Sequence, residues 1–156
     1  MANRATFFSR FKAALTQPTD EERERRVAVL YVDLDRFKQV NDTAGHATGD
    51  AVIIAAAERM SHIVRRTDLV GRLGGDEFAI LCTGVLNVDE VTAMAERIVE
   101  SLAQPFSHHG VDVTIGASVG VAISKDGELD HDALLAEADA ALYQAKADGR
   151  GRWCLA

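Results

Sequence analysis

The sequence predicts an α/β sandwich, a central mixed or mainly antiparallel sheet with helices packed against it. Short β-rich runs alternate with amphipathic helical stretches along the whole chain. Two β-rich arms, "LVGRL" and "DEFAILC", flank a glycine turn, which is the mark of an antiparallel hairpin. Hydrophobic residues make up 47% of the 156 residues, enough for one core and too many for a disordered chain.

Taken in order, "RATFFSRFKAAL" puts Phe7, Phe8, Phe11 and Leu15 at helical spacing and predicts a helix over 4–16. Pro18 and the charged run "DEERERR" read as a solvated connection. "VAVLYVDLD" is a buried strand, Val27–Val32, that delivers Asp33 to its tip. A short helix from Arg36 to Asn41 follows, then a long one in "TGDAVIIAAAERMSHIVRR", starting near Thr48 or Asp50 and ending at Arg65–Arg66. The hairpin turns at Gly74–Gly75. "NVDEVTAMAERIVESLAQP" is a helix capped by Asn87 or Asp89 and stopped by Pro105. "VDVTIGASVGVAIS" alternates as one long strand, with glycines that permit a bend. "DHDALLAEADAALYQAKADGR" is the last helix, closed by Gly149, and "RWCL" adds a terminal strand. No repeat or second composition appears, so residues 1–156 read as one domain.

Composition narrows the function. Seventeen Lys and Arg stand against 24 Asp and Glu, and a net charge of −7 argues against binding a nucleic-acid polymer. The longest apolar run, Ala51–Ala57, is far short of the ~20 residues of a membrane span. Cys82 and Cys154 fit no metal or redox pattern and read as buried thiols of a reducing, cytoplasmic compartment. The chain has no GxxxxGK[ST], GxGxxG or GxSxG motif.

Acids at turns remain. Asp33 ends a strand and Asp76 follows the hairpin glycines; if the hairpin lies beside that strand, both carboxylates converge on a hard cation such as Mg²⁺, held together with phosphate oxygens. Gly75 lets backbone approach a phosphate closely. Lys146 and Arg150 stand four apart near the last helix end, on one face, suited to one triphosphate. Each feature alone also has a plain structural explanation: a helix C-terminus complemented by cations, a solvated turn tip, a helix cap.

Jointly, the motifs resemble one family. "GGDEF" at 74–78 is the signature of the GGDEF family of diguanylate cyclases. "DLDRFKQVNDTAGHATGD" at 33–50 and "ADAALYQAKADGRGR" resemble that family's two other long motifs, and Arg65 and Asp68 stand as its R-x-x-D ahead of GGDEF. The resemblance implies a fold similar to the nucleotidyl cyclase and polymerase palm, and condensation of two GTP into cyclic di-GMP and two pyrophosphates by a homodimer of half-sites. It implies Mg²⁺ or Mn²⁺ on Asp33, the Leu34 carbonyl and Asp76; guanine between Asn41, His46 and Asp50, with Phe37 nearby; and phosphates on Lys38, Lys146 and Arg150, close to Gly74 and Gly75. Glu77 or Asp76 takes the proton or adds a metal ligand. A buried Asp50 facing the N1–H and N2–H₂ donors that only guanine offers would reject adenine. Arg65 and Asp68 correspond to the inhibitory site for product.

The family's usual opening, D-x-L-T-G-L-x-N-R, survives here only as Asn3–Arg4. Either the chain is a piece of a longer protein, with an upstream sensor or downstream domains and a membrane-anchored context open to it, or the leading loop is missing. The rival from another class is a catalytically silent domain that binds GTP or cyclic di-GMP to regulate a partner. Undamaged motifs weigh against it. A cyclase acting on ATP conflicts with Asn41 and Asp50.

Overall fold

A strand buried along almost its full length organises the molecule. In the computed structural model, which describes residues 1–16, 26–125 and 130–156, this strand is β1 (Arg26–Asp35). The expected solvated connection at Pro18 lies outside the described residues, apart from Arg26 at its end. Around β1 stand α1 (Arg4–Thr16), α2 (Phe37–Ala44), α3 (His46–Ile63), β2 (Leu69–Gly74), β3 (Glu77–Val85) and α4 (Val88–Leu102). Then come β4 (Phe106–His108), β5 (Val111–Val113), β6 (Gly116–Ile123), α5 (His131–Ala147) and β7 (Trp153–Leu155).

The sheet order is β2-β3-β1-β6-β7, antiparallel throughout except for the parallel β6–β7 pair. Alternation along β1 serves both faces. Ala28, Leu30, Val32 and Leu34 enter a core with residues of α3 and α4, such as Ala56, Met60, Ala95 and Ile98. Val27 and Val29 enter a second core with Phe7 and Phe11 of α1 and Leu134 and Ala138 of α5. With both faces covered, the buried polar side chains of the strand stand at its end, at Asp33 and Asp35.

Several boundaries differ from expectation. The long helix begins at His46, because Gly45 at φ +90° separates it from α2; Thr48 is buried inside the helix and does not cap it. That helix ends at Ile63, ahead of Arg65–Arg66. The hairpin turns one residue later than expected: Gly74 pairs with Glu77, so Gly75 and Asp76 form the loop. Gly75 has φ +42°, the positive φ that a two-residue hairpin loop requires at its first position. The expected strand over 111–124 is two strands, β5 paired with β4 in its own small hairpin and β6 in the main sheet. Asn87 caps α4, accepting from Asp89 N–H. Cys82 is buried as expected, whereas Cys154 is only half-buried.

Candidate active site

The last residues of β1 and the β2–β3 turn meet at one end of the sheet. Leu34 N–H donates to the Asp76 carbonyl at 3.2 Å, tying the turn to β1. Arg72 grips the same turn from outside, its Nε and Nη2 donating to the Gly75 carbonyl at 3.0 and 2.7 Å. Asp33 lies opposite Glu77 in the ladder, so three acids of the sequence motifs, Asp33, Asp76 and Glu77, come together.

Their environments differ. Asp33 is buried; one oxygen accepts from Lys146 Nζ of α5, and the other, Oδ1, has no hydrogen-bond partner among the described residues. Asp76 is half-buried, and burial followed by the neighbouring Asp33 carboxylate pushes its carboxyl up to about 6 from the ordinary 3.8. Two converging carboxylates, one with a buried unpartnered oxygen, fit a hard divalent cation completed by substrate oxygens. Glu77 Oε2 accepts from Tyr31 Oη at 2.9 Å. Burial, then the bond to Glu77, pushes the Tyr31 hydroxyl up, so it stays a donor. Tyr31 was missed in the sequence, although its position two residues before Asp33 puts it on the same strand face.

The two expected phosphate cations do not share a helix face. Lys146 is in the last turn of α5, but the helix ends at Ala147 and Arg150 lies beyond it, at φ +63°. Left-handed backbone costs an arginine ~1–2 kcal/mol. Hydrogen bonds of ~0.5–1.5 kcal/mol each offset that cost: Arg150 N–H to the Ala145 carbonyl at 3.0 Å, and Gly151 N–H to Asp35 Oδ2 at 3.0 Å. Arg150 lines a cavity of about 660 Å³ between α2, the 111–116 segment and the 149–151 turn, shared with Asp35, Arg36, Gln39 and Thr43.

Phe37 and Asn41 of α2 meet the first turns of α3. A Cβ on Gly49 would collide with Asn41 Oδ1 and come within 3.2 Å of Phe37 Cζ, so Gly49 leaves the space that the Asn41 side chain occupies. Gly49 was missed as a site residue; its only signal was its place beside Asp50. His46, Asp50 and Lys38 are exposed. The expectation of a buried Asp50 is therefore corrected: Thr48 and Gly49 face the interior, and Asp50 beside them faces solvent.

Arg65 and Asp68 occupy the α3–β2 connection, at the opposite end of the β2–β3 hairpin from Asp76. Asp68 accepts from Arg65 N–H at 2.8 Å, Nε at 3.3 Å and Nη2 at 3.1 Å. Arg65 also donates to the Thr83 carbonyl at 3.0 Å. The Asp68 side chain is fully buried and that of Arg65 is 43% exposed. The bond to Asp68 raises the Arg65 guanidinium further above its ordinary range.

Comparison with known proteins bears on this arrangement. The family model "Diguanylate cyclase, GGDEF domain" matches residues 1–152. The diguanylate cyclase TpbB of Pseudomonas aeruginosa is 40% identical over 152 residues, which span 97% of this chain and 34% of that protein. The crystal structure of its GGDEF domain superposes with a TM-score of 0.92 at 40% identity, covering 100% of this chain and 96% of that one. The GGDEF domain of DgcB from Caulobacter crescentus, solved in complex with c-di-GMP, gives a TM-score of 0.89 at 30% identity, with coverage of 99% and 91%. The chain thus spans about a third of the length of its curated relative TpbB.

Proposed function

The chain belongs to the GGDEF family of diguanylate cyclases, and from that premise we propose that it condenses two GTP molecules into cyclic di-GMP with release of two pyrophosphates. The observation that carries this reading is the convergence of Asp33 and Asp76, with Asp33 Oδ1 buried and unpartnered. Among the described residues a chain offers one such acid pair, so the reaction takes two chains, each presenting one GTP to the other.

Asp33, Asp76 and the Leu34 carbonyl hold Mg²⁺ or Mn²⁺ in this reading. When bound, the cation supplies Lewis-acid stabilisation of charge on the reacting phosphates. Asn41, with Phe37 packed beside it across Gly49, orients guanine from α2, while Asp50 and His46 meet it from α3. Arg150, Lys38 and Lys146 bind phosphate oxygens; Lys146, which holds Asp33 here, would be free for phosphate with a cation on that carboxylate. Gly74 and Gly75 leave room at the turn. Glu77, oriented by Tyr31, stands beside Asp33 as the third acid and accepts the proton of the attacking 3′-hydroxyl. GTP as substrate sets this domain in the cytoplasm, and among the described residues no helix is long and apolar enough to cross a membrane. Product returns to Arg65 as a feedback ligand.

Incubation of concentrated protein with GTP and Mg²⁺, followed by chromatography for cyclic di-GMP, is the test. Product should form at a rate per molecule that rises with protein concentration, and Asp76→Ala should abolish it with the fold intact, since only a turn changes. GTP binding without product would instead point to a silent regulatory domain.

A further inference from the structure

Asp35 lines the cavity beside Arg150 but has no role in the reaction so far, yet it is a buried carboxylate with both oxygens engaged. Oδ1 accepts from Ser118 Oγ of β6 at 2.7 Å, and Oδ2 accepts from Gly151 N–H at 3.0 Å. Gly116 stands opposite Asp35 in the ladder, and a Cβ there would come within 3.1 Å of Oδ2. The strand, its neighbour and the turn after α5 are therefore closed around this one group.

That turn is unusual. Gly149, Arg150 and Gly151 lie in sequence at φ +122°, +63° and +59°. Arg150 N–H returns to the Ala145 carbonyl at 3.0 Å and holds the near side of the turn to the helix. On the far side, Gly151 N–H to Asp35 fixes the turn itself, while one residue on, the Arg152 carbonyl accepts from Val119 N–H of β6 at 2.9 Å, where the pairing of β7 begins. Asp33 and Asp35, two apart on one strand face, thus each fix one cation at the end of α5: Asp33 directly through Lys146, Asp35 through the backbone next to Arg150.

We propose that Asp35 is a positioning residue for substrate phosphate, acting by locking the 149–151 turn so that Arg150 faces the triphosphate. The proposal rests on the GTP reading above. A neutral amide can serve as well: Asn Oδ1 would accept from Gly151 N–H while its Nδ2 donates to Ser118 Oγ. An alanine can do neither.

The test uses 3′-deoxy-GTP, which lacks the attacking hydroxyl and cannot condense, titrated with Mg²⁺ against guanosine as the phosphate-free control. Arg150→Ala should weaken 3′-deoxy-GTP by about tenfold or more. Asp35→Ala should weaken it by a similar factor, and the double variant by no more than about twofold beyond Arg150→Ala alone. Asp35→Asn should stay within about threefold of wild type, and Ser118→Ala within about twofold, even if it melts lower. Guanosine affinity should be unchanged in all. If Asp35→Ala does not fold, Asp35→Ser, too short to reach Gly151, replaces it. Wild-type affinity in the Asp35 variant beside a weakened Arg150→Ala overturns the proposal. So do independent, multiplying losses in the double variant, or an equal loss of guanosine. Arg150→Ala binding like wild type, or a wild type with no preference for the triphosphate, overturns the GTP reading and this proposal together.

Discussion

Lys146 of α5 donates to Asp33 of β1 across 113 residues of sequence, leaving the other Asp33 oxygen buried and, among the described residues, without a partner. The lysine thus supplies part of the positive charge that a divalent cation would bring. Asp33 is buried and stands against a second carboxyl, that of Asp76, which burial and then Asp33 push up to about 6.

Removing Lys146 should therefore lower stability. Breaking a fully buried ion pair costs ~3–5 kcal/mol, but a third of the Lys146 side chain is in solvent, so Lys146→Ala should fall below that range. Mg²⁺ should then stabilise the variant more than the wild type, because in the wild type it must displace the lysine. Thermal melts of both proteins with and without Mg²⁺ check this. An equal gain in the two would separate the lysine from the cation site.

A pH dependence follows from Asp76. Its carboxyl is raised to about 6 against 3.8, so between these values the folded chain holds a proton that the unfolded chain has released. This contribution to metal-free stability is fully present below about pH 4 and is lost as pH rises through about 6. A cation needs the deprotonated carboxylate. The melting-temperature gain from Mg²⁺ should accordingly be small at about pH 5 and full at about pH 8, and Asp76→Asn should remove most of it at both. A gain independent of pH would contradict the assignment of Asp76 as a ligand.

Much of this site was legible in the chain, for local reasons. An apolar run ending in Asp33 announces a buried strand with an acid at its tip, and glycines before Asp76 announce a tight turn. Other features were hidden because local pattern and structure diverge. Alternation continues through Thr114 and Ile115, so nothing in the period marks where the strand leaves the small hairpin for the main sheet. Helical spacing continues from Lys146 to Arg150, although Gly149 has already turned the chain into left-handed backbone. Lys146 on Asp33, Tyr31 on Glu77 and Gly151 on Asp35 join residues 46 to 116 positions apart, and no local rule pairs them.

Gly49 offers a test of the α2–α3 contact. Gly49→Ala gains ~1 kcal/mol of helix propensity, while its Cβ displaces the Asn41 side chain, whose flexible end can swing into solvent, and crowds Phe37. Stability should change little. GTP affinity should fall by about tenfold with ATP affinity unmoved, because Asn41 is the group proposed to read guanine. Titration of both nucleotides checks this, and equal losses for the two would mean that Asn41 does not discriminate between the bases.

The Arg65–Asp68 pair leads to a revised division of labour at the proposed feedback site. Asp68 is fully buried and accepts three bonds from Arg65, so in this conformation it is not free to read a guanine edge. The exposed part of the Arg65 guanidinium is what product would meet, and two phosphodiesters suit its planar donors. Arg65→Ala should abolish most cyclic di-GMP binding and leave GTP binding intact, since Asp76 lies at the far end of the hairpin. The same variant strands the Asp68 charge. Because Arg65 is 43% exposed, screening keeps that cost to ~1 kcal/mol, about 2–4 °C of melting temperature. Arg65→Lys keeps the charge without the bidentate geometry, so it should recover stability more fully than affinity. Calorimetric titration of cyclic di-GMP into the wild type and both variants, paired with melts, separates the two effects. Unchanged product affinity in Arg65→Ala, with the melting shift still present, would make this pair a tie between α3 and β2 and nothing more.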